Sequence, residues 1–426
     1  MREDFLHFIW KHKKLPITNL VSTDGEAIEI VQVGAHNHFA GPDFFNAQIR
    51  IGSQLWAGNI EIHIKSSDWY AHNHEQDENY DTVILHVVWE DDATIHRKDN
   101  IPIPTLALKT YLSPKLIKAY EALFSKSGKR FINCEKQITV LDSFVLKNWL
   151  DRMYFERLEE KSALILSLLK KSKNNWEEVL FVLLLKNFGL KINGDAFLSL
   201  AQSVDFTSVR KIGADTLQLE SLLFGHAGLL DENNTDLYFK ELKDEYQYVK
   251  HKFKCEESNA VRPAFFKLRP PNFPTIRLSQ FSNLYAGQNN LFSRLIDAAS
   301  IEELYGIFNV SASEYWDTHY TFPKESKKSK KKLTKKFIDL LIINTILPLK
   351  FCHAQYHGKE IESNLISIII GIKKEDNSII ETFNNLKISA NNAMESQSLL
   401  QLYTNYCVKN KCLQCAVGNS LLKGND

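Results

Sequence analysis

GPDFFNAQIRIGSQLWAGNIEIHIKSSDW, residues 41–69, is the stretch on which the fold turns. Near its end the chain alternates strictly. Ile60, Ile62 and Ile64 point one way and Glu61, His63 and Lys65 the other, as a pleated strand requires. Three ionisable groups therefore line one face of a strand predicted over 55–65. A preceding strand over 47–51 returns through a turn at Gly52-Ser53. A tight hairpin sets Asp43 opposite Ile62 or His63, to within a residue or two. Cross-strand neighbours lie about 5 Å apart, so the carboxylates of Asp43 and Glu61 are placed to share one cation. Pro42 fixes the chain where that strand begins.

Working outward, strand-like runs are expected at 28–33, 82–89 and 105–108, and a first helix over 4–14. Gly34, Gly41-Pro42 and the polar stretch 73–79 punctuate them. From Ser113 the apolar spacing becomes helical, over 114–124, 144–171, 176–187, 195–203, 216–224, 236–250 and 278–308. Asn175 and Asp195 suit N-caps, and Gly189 and Gly225 suit helix ends. The segment 262–277 contains RPPNFPTIR, whose three prolines predict an extended path. Residues 337–347 read as helix, and 365–372 as either a strand or a buried helix. The expected class is α+β: a mixed α/β head over 1–112, a helical domain over 113–310, and a helical C-terminal region over 311–426.

The composition is that of an ordinary globular protein, with 426 residues, 44% hydrophobic and 24% charged. At roughly 150 residues per domain that length suggests two or three domains. No apolar run approaches the roughly 18 residues of a membrane span, so no membrane partner is expected. The N-terminus, MREDFLHFIWKHKKL, carries both charge signs and no cleavage pattern. Six cysteines are too few for a disulfide-stapled secreted chain, so a reducing cytoplasmic location is expected. The net charge of +1 conceals an asymmetry. Residues 1–110 hold 9 Lys+Arg against 16 Asp+Glu, or −7, and the remainder 43 against 35, or +8. Nine of the 14 histidines also lie in those first 110 residues. That division suggests a divalent metal in the first part and a polyanion held by the second, against the plainer reading of uneven but solvated charge.

Paired carboxylates are hard oxygen ligands suited to Mg²⁺ or Mn²⁺, and His63 is placed to assist an attacking water. The competing reading is a solvated polar face on an amphipathic hairpin. The pairs His36/His38 and His72/His74 could instead hold zinc, completed by Asp68, Asp81 or His86, although no HExxH spacing exists. His86, inside a strand, suits a core histidine. Eight lysines fall within residues 324–336, Lys330, Lys331 and Lys332 among them. Arg262, Lys267, Arg269 and Arg277 interleave with Phe265, Phe266 and Phe273, the mixture expected for phosphate contact and base stacking on DNA or RNA. Packing and solvation are the plainer readings of both. Cys407, Cys412 and Cys415 offer three thiolates of a Zn²⁺ or Fe–S site, with Cys352, His353 or Cys134 as candidates for the fourth ligand. Cys255 reads as structural.

Asp43 in GPDF, followed by Glu61-Ile62-His63 on the next strand, resembles the PD-(D/E)xK nuclease superfamily. The resemblance covers roughly the first 110 residues and implies a restriction-endonuclease-like core of order αβββαβ. It further implies a metal-dependent phosphodiesterase acting on DNA or RNA. Asp43 and Glu61 would bind Mg²⁺ or Mn²⁺, with His63 or Lys65 assisting the water. That pattern expects Lys where this chain has His63, while Lys65 lies one pleat further on the same face. The alternative is a non-catalytic nucleic-acid-binding or scaffold protein with a degenerate nuclease-like fold. Over nearly the whole chain, GPDFFNA, GNIEIHIKSSDW, YDTVILHVV, FGHAGLL, RPPNFPTIR and the terminal cysteine motif resemble the bacterial DUF2851 family, which carries a family name without an activity.

Overall fold

The hairpin at the centre of the sequence reading forms a central part of a seven-stranded mixed sheet. The computed structural model describes residues 1–16, 18–125, 130–232, 234–360 and 363–422. Strands β1 (Leu20–Val21), β2 (Ala27–Gln32), β3 (Ala35–His36), β4 (Phe44–Ile51), β5 (Gln54–Lys65), β6 (Val83–Glu90) and β7 (Thr105–Ala107) follow in chain order. They lie side by side as β1-β2-β4-β5-β6-β7, with β3 paired to β4. The β5, β6 and β7 ladders are parallel and the others antiparallel. Five of the strands, β2, β4, β5, β6 and β7, match the expected ones to within three residues. The two-residue strands β1 and β3 lack enough alternation to be read from sequence.

The hairpin is as tight as a hairpin can be. Ile51 pairs with Gln54, leaving Gly52-Ser53 as a two-residue loop, and Gly52 takes a φ of 58° where a type II′ turn needs glycine. Pairing holds register to Ala47 and Gly58, then slips by one, so that Phe44 faces Ile60. The extra residue is accommodated by a β-bulge. Asn46 adopts φ 56°, which asparagine tolerates better than most residues, and its N–H donates to Asn59 Oδ1 at 3.2 Å. The slip moves Asp43 from the expected partners Ile62 or His63 to Glu61.

Helix α1 (Glu3–Lys11) buries Phe5, Leu6, Phe8, Ile9 and Trp10, packs on β5, and is pinned by the Trp10 indole donating to the Val33 carbonyl at 3.0 Å. A short helix α2 (Asp68–Ala71) begins the crossover to parallel β6, whose residues 83–88 are all buried, as a strand flanked on both sides requires. Helix α3 (Pro114–Phe124) follows, capped by the Ser113 side chain.

Two compact units result: Met1–Trp149 with Tyr403–Asp426, and Leu150–Leu402. The sequence reading drew its boundaries at 112 and 310. The terminal segment returns to the first unit, where the Cys412–Gln414 turn meets α1 and Tyr403 stacks on Phe131 with ring centres 4.6 Å apart. The division falls within helix α4 (Ser143–Lys171).

The second unit is helical, with α5 (Trp176–Phe188), α6 (Leu190–Ser203), α7 (Phe206–Ile212), α8 (Thr216–His226), α9 (Leu237–Phe253) and α10 (Pro274–Ala286) as its first elements. Asn175 caps α5 as expected, but Asp195 lies inside α6, which begins five residues earlier than its apolar period suggests. The expected extended path is not found: Pro270–Asn272 form a 3-10 turn flanked by extended Arg269 and Phe273, and Pro274 occupies the first turn of α10, a place where proline's missing N–H costs nothing. Residues 363–371 are helix, which settles the ambiguity over 365–372. Among the described residues one helix, Lys335–Tyr356, is long and apolar enough by length and composition to cross a membrane, and 72% of its apolar window is buried inside the protein.

Glu220 on α8 is fully buried in this unit. Its Oε1 accepts from the Trp316 indole at 2.7 Å and the Tyr238 hydroxyl at 3.1 Å, and its Oε2 from Ser279 at 2.9 Å and Ser313 at 2.5 Å. Burial pushes its pKa up while the four donors oppose the shift. Removing the carboxylate strands four buried donors at once. Glu220→Ala should therefore destabilise the protein by about 3 kcal/mol or more in urea denaturation, and Glu220→Gln by clearly less. Equal loss in both would mean that charge, and not acceptor number, holds the network.

Candidate metal centre

Asp43, just before β4, and Glu61, on β5, each have their carboxylate held by a backbone N–H from the other's segment of chain. The Asp43 N–H donates to Glu61 Oε2 at 3.2 Å, and Asp43 Oδ2 accepts from the Ile62 N–H at 3.0 Å. The bulge at Asn46 makes this reciprocal pairing possible. Glu61 is 5% exposed, so its charge is largely cut off from water. Burial, followed by the Asp43 charge, pushes its carboxyl pKa well up.

Histidines surround the pair. His63 Nε2 and His74 Nε2 each lie 3.4 Å from Glu61 Oε1, and His7 Nε2 lies 3.2 Å from Asp43 Oδ2. A chain of rings continues inward, from His72 Nδ1 to His63 Nε2 at 3.1 Å and from His63 Nδ1 to His86 Nε2 at 2.9 Å. Burial and the neighbouring histidines hold His63 neutral, with its pKa pushed down to about 3. His86, fully buried, is driven down in the same way. His7 is raised: burial works against its charge, but Asp43 and Glu3 outweigh it. Tyr80 stacks on His74 with ring centres 3.7 Å apart, which fixes the loop that carries it.

Among the described residues, two groups of side chains bring three ligand atoms within 4.8 Å of one another: His63 with His72 and His74, and Glu3 with His7 and Asp43. Glu61 stands between them, its Oε1 on His63 and His74 and its Oε2 on the Asp43 N–H. The His7 Nε2 atom is buried and makes no aligned hydrogen bond despite its approach to Asp43. An imidazole nitrogen left over beside two carboxylates is the donor set that a divalent cation completes.

Of the residues singled out by sequence, Asp43, Glu61 and His63 come together. Lys65 does not. It is exposed and leans towards Asp92, 3.8 Å away, so it cannot stand in for a lysine beside Glu61. His72 and His74 join the site, completed by His63 and not by Asp68, Asp81 or His86. His36 and His38 meet edge to face, ring centres 4.4 Å apart, outside both groups. Glu3 and His7 were missed, although an acid and a histidine four apart on an amphipathic helix form one helix face. Among the basic residues, Arg269, Lys330 and Lys332 are exposed. Arg277 and Lys331 correct the expectation of phosphate contact. Arg277 is 6% exposed, bonded to Gln280 and Asn272 and seated over the Phe337 ring at 3.5 Å. Lys331 is buried, its ammonium spent on Ser329 and the Asp317 carbonyl.

The family described as Protein of unknown function (DUF2851) matches residues 3–378, which includes every residue of this site. The chain belongs to that family. No curated protein and no solved structure matches it. For this DUF2851 member the matched span ends before Cys407, Cys412 and Cys415.

Glu61 should act as a metal ligand at the expense of the metal-free fold. Glu61→Gln is expected to raise the stability of EDTA-treated protein by about 1 kcal/mol and to abolish the melting-temperature rise that Mn²⁺ gives the wild type. His7→Ala should weaken Mn²⁺ binding by about 10- to 100-fold in titration calorimetry, a loss typical of disrupting a metal site's supporting groups. Unchanged affinity would remove α1 from the site.

Proposed function

We propose that this chain is a divalent-metal-dependent phosphodiester hydrolase acting on nucleic acid. The observation that carries the reading is the Asp43–Glu61 pair, with Glu61 cut off from water, His63 held neutral beside it, and no lysine or arginine among the described residues paired with either carboxylate. The succession α1, β2, β4, β5, α2, β6, with the acid at the head of β4 and the second acid on β5, supports the nuclease-like comparison. A cleft of about 650 Å³ reaches His7 and carries Arg2, Lys11, Lys409 and Lys411 on its walls. Basic side chains beside a carboxylate site are what a phosphate backbone needs.

The donor set mixes oxygen and imidazole nitrogen, which favours Mn²⁺ over Mg²⁺. A cation there supplies positive charge to the phosphoryl oxygens as the bond breaks. Asp43 and Glu61 would hold it, with His7 and Glu3 on one side and His63 and His74 on the other. His63, held neutral, would offer Nε2 to the cation and so place the attacking water, and the exposed His72, 3.1 Å away, opens that side of the site to solvent. Lys65 takes no part. The binding-only alternative draws on that outward turn of Lys65.

Linear, nicked and single-stranded DNA and RNA should be cleaved with Mn²⁺ faster than with Mg²⁺, and Glu61→Gln or Asp43→Asn should lose about 100-fold or more of the rate. Folded wild type that binds these substrates without cutting them, and whose binding ignores both substitutions, would establish a non-catalytic binding protein instead.

A further inference from the structure

Four of the six cysteines converge in the first compact unit, well separated in sequence from the carboxylates. Cys407, Cys412 and Cys415 come from the terminal segment, Cys134 from the chain beyond α3, and the four line one cavity walled by Leu123 and Tyr406. Cys134 is the ligand that the terminal motif lacks locally; Cys352 and His353, the other candidates, do not line this cavity. Among the described residues all six cysteines are free, so no disulfide accounts for the gathering. Cys134, Cys412 and Cys415 are each less than one-tenth exposed.

The groups around the sulfurs are donors. Asn133 Nδ2 lies 3.4 Å from Cys412 Sγ, and the backbone N–H groups of Val417 and Gly418 face Cys415. The Trp149 indole is held towards Cys415, and its buried Nε1 finds no other partner. A neutral thiol is a poor acceptor, whereas a metal-bound thiolate is a good one, and N–H groups directed at sulfur are a regular part of such sites. The backbone is wrapped closely to achieve this. A Cβ on Gly418 would stand 2.0 Å from the Cys412 carbonyl oxygen, so only glycine allows the segment after Cys415 to fold back over Cys412.

We infer that Cys134, Cys407, Cys412 and Cys415 form a tetrathiolate metal centre, holding either one zinc ion or an iron–sulfur cluster. Binding releases the thiol protons to solvent and leaves four sulfur–metal bonds, with no change in sulfur oxidation state. The centre ties the terminal segment to the chain after α3, within one unit, and the Cys412–Gln414 turn that it fixes meets α1, the helix that carries Glu3 and His7.

The test uses the full chain, purified without air and without added chelator, with zinc, iron and acid-labile sulfide measured together. About one zinc per chain, or iron with matching sulfide and a visible charge-transfer band, is expected. Cys134→Ser should lose most of that metal, while Cys255→Ser and Glu61→Gln keep it. A second measurement uses wild type alone and so does not depend on the folding of Cys134→Ser. Under native conditions the four cysteines should resist alkylation until a strong chelator removes the metal, and react afterwards. Metal content unchanged by Cys134→Ser would overturn the inference. So would wild type without zinc or iron, or four thiols equally protected with and without chelator, since burial alone would then explain them.

Discussion

Two carboxylates cannot be taken out of water side by side unless something positive, or a proton, comes between them. That constraint governs the head of this protein. The bulge at Asn46 brings Asp43 onto Glu61, the Glu61 carboxylate is held by the Asp43 N–H and the Asp43 carboxylate by the Ile62 N–H, and little water reaches Glu61. Every surrounding feature answers to that pressure. Imidazoles occupy the positions where lysine or arginine would neutralise the pair, burial keeps His63 and His86 uncharged, and the helix that contributes Glu3 and His7 is pinned to the sheet by Trp10. A site arranged in this way is costly as metal-free protein, and the cation proposed for it would relieve that cost.

Glu220 shows what the opposite solution looks like in the same chain. It is more deeply buried than Glu61, yet four neutral donors meet its two oxygens, and no titratable partner shares its charge. Such a carboxylate joins helices and needs no ligand. The comparison separates a structural acid from a candidate functional one by what faces each oxygen, since burial alone ranks the two in the wrong order.

Much of the head was legible because alternation and turn chemistry are local. Residues 60–65, the Gly52-Ser53 turn and the apolar run of β6 each declare themselves within a few positions. The contribution of α1 was not legible, because Glu3 and His7 reach Asp43 only through the way the helix lies on β5. The bulge was also hidden, since a single left-handed asparagine has no pattern of its own. Arg277 and Lys331 misled for a related reason. A basic residue among aromatics has the same sequence signature whether it faces phosphate or, as Arg277 does over Phe337, packs inside. The helical unit was read well where apolar period and caps agree, as at Asn175. It was read poorly at α6, whose first turn carries little apolar signal.

The first compact unit is discontinuous in sequence, and that has a consequence for its synthesis. Residues 1–149 leave the ribosome before residues 150–402, and only afterwards does the segment from Tyr403, which completes their packing, emerge. For the time needed to translate some 250 intervening residues, on the order of tens of seconds, α1 must wait without the Cys412–Gln414 turn that packs against it. The nascent head is thus a partly built structure exposed to chaperones and proteases, and a ribosome that stalls anywhere before the tail leaves it unfinished.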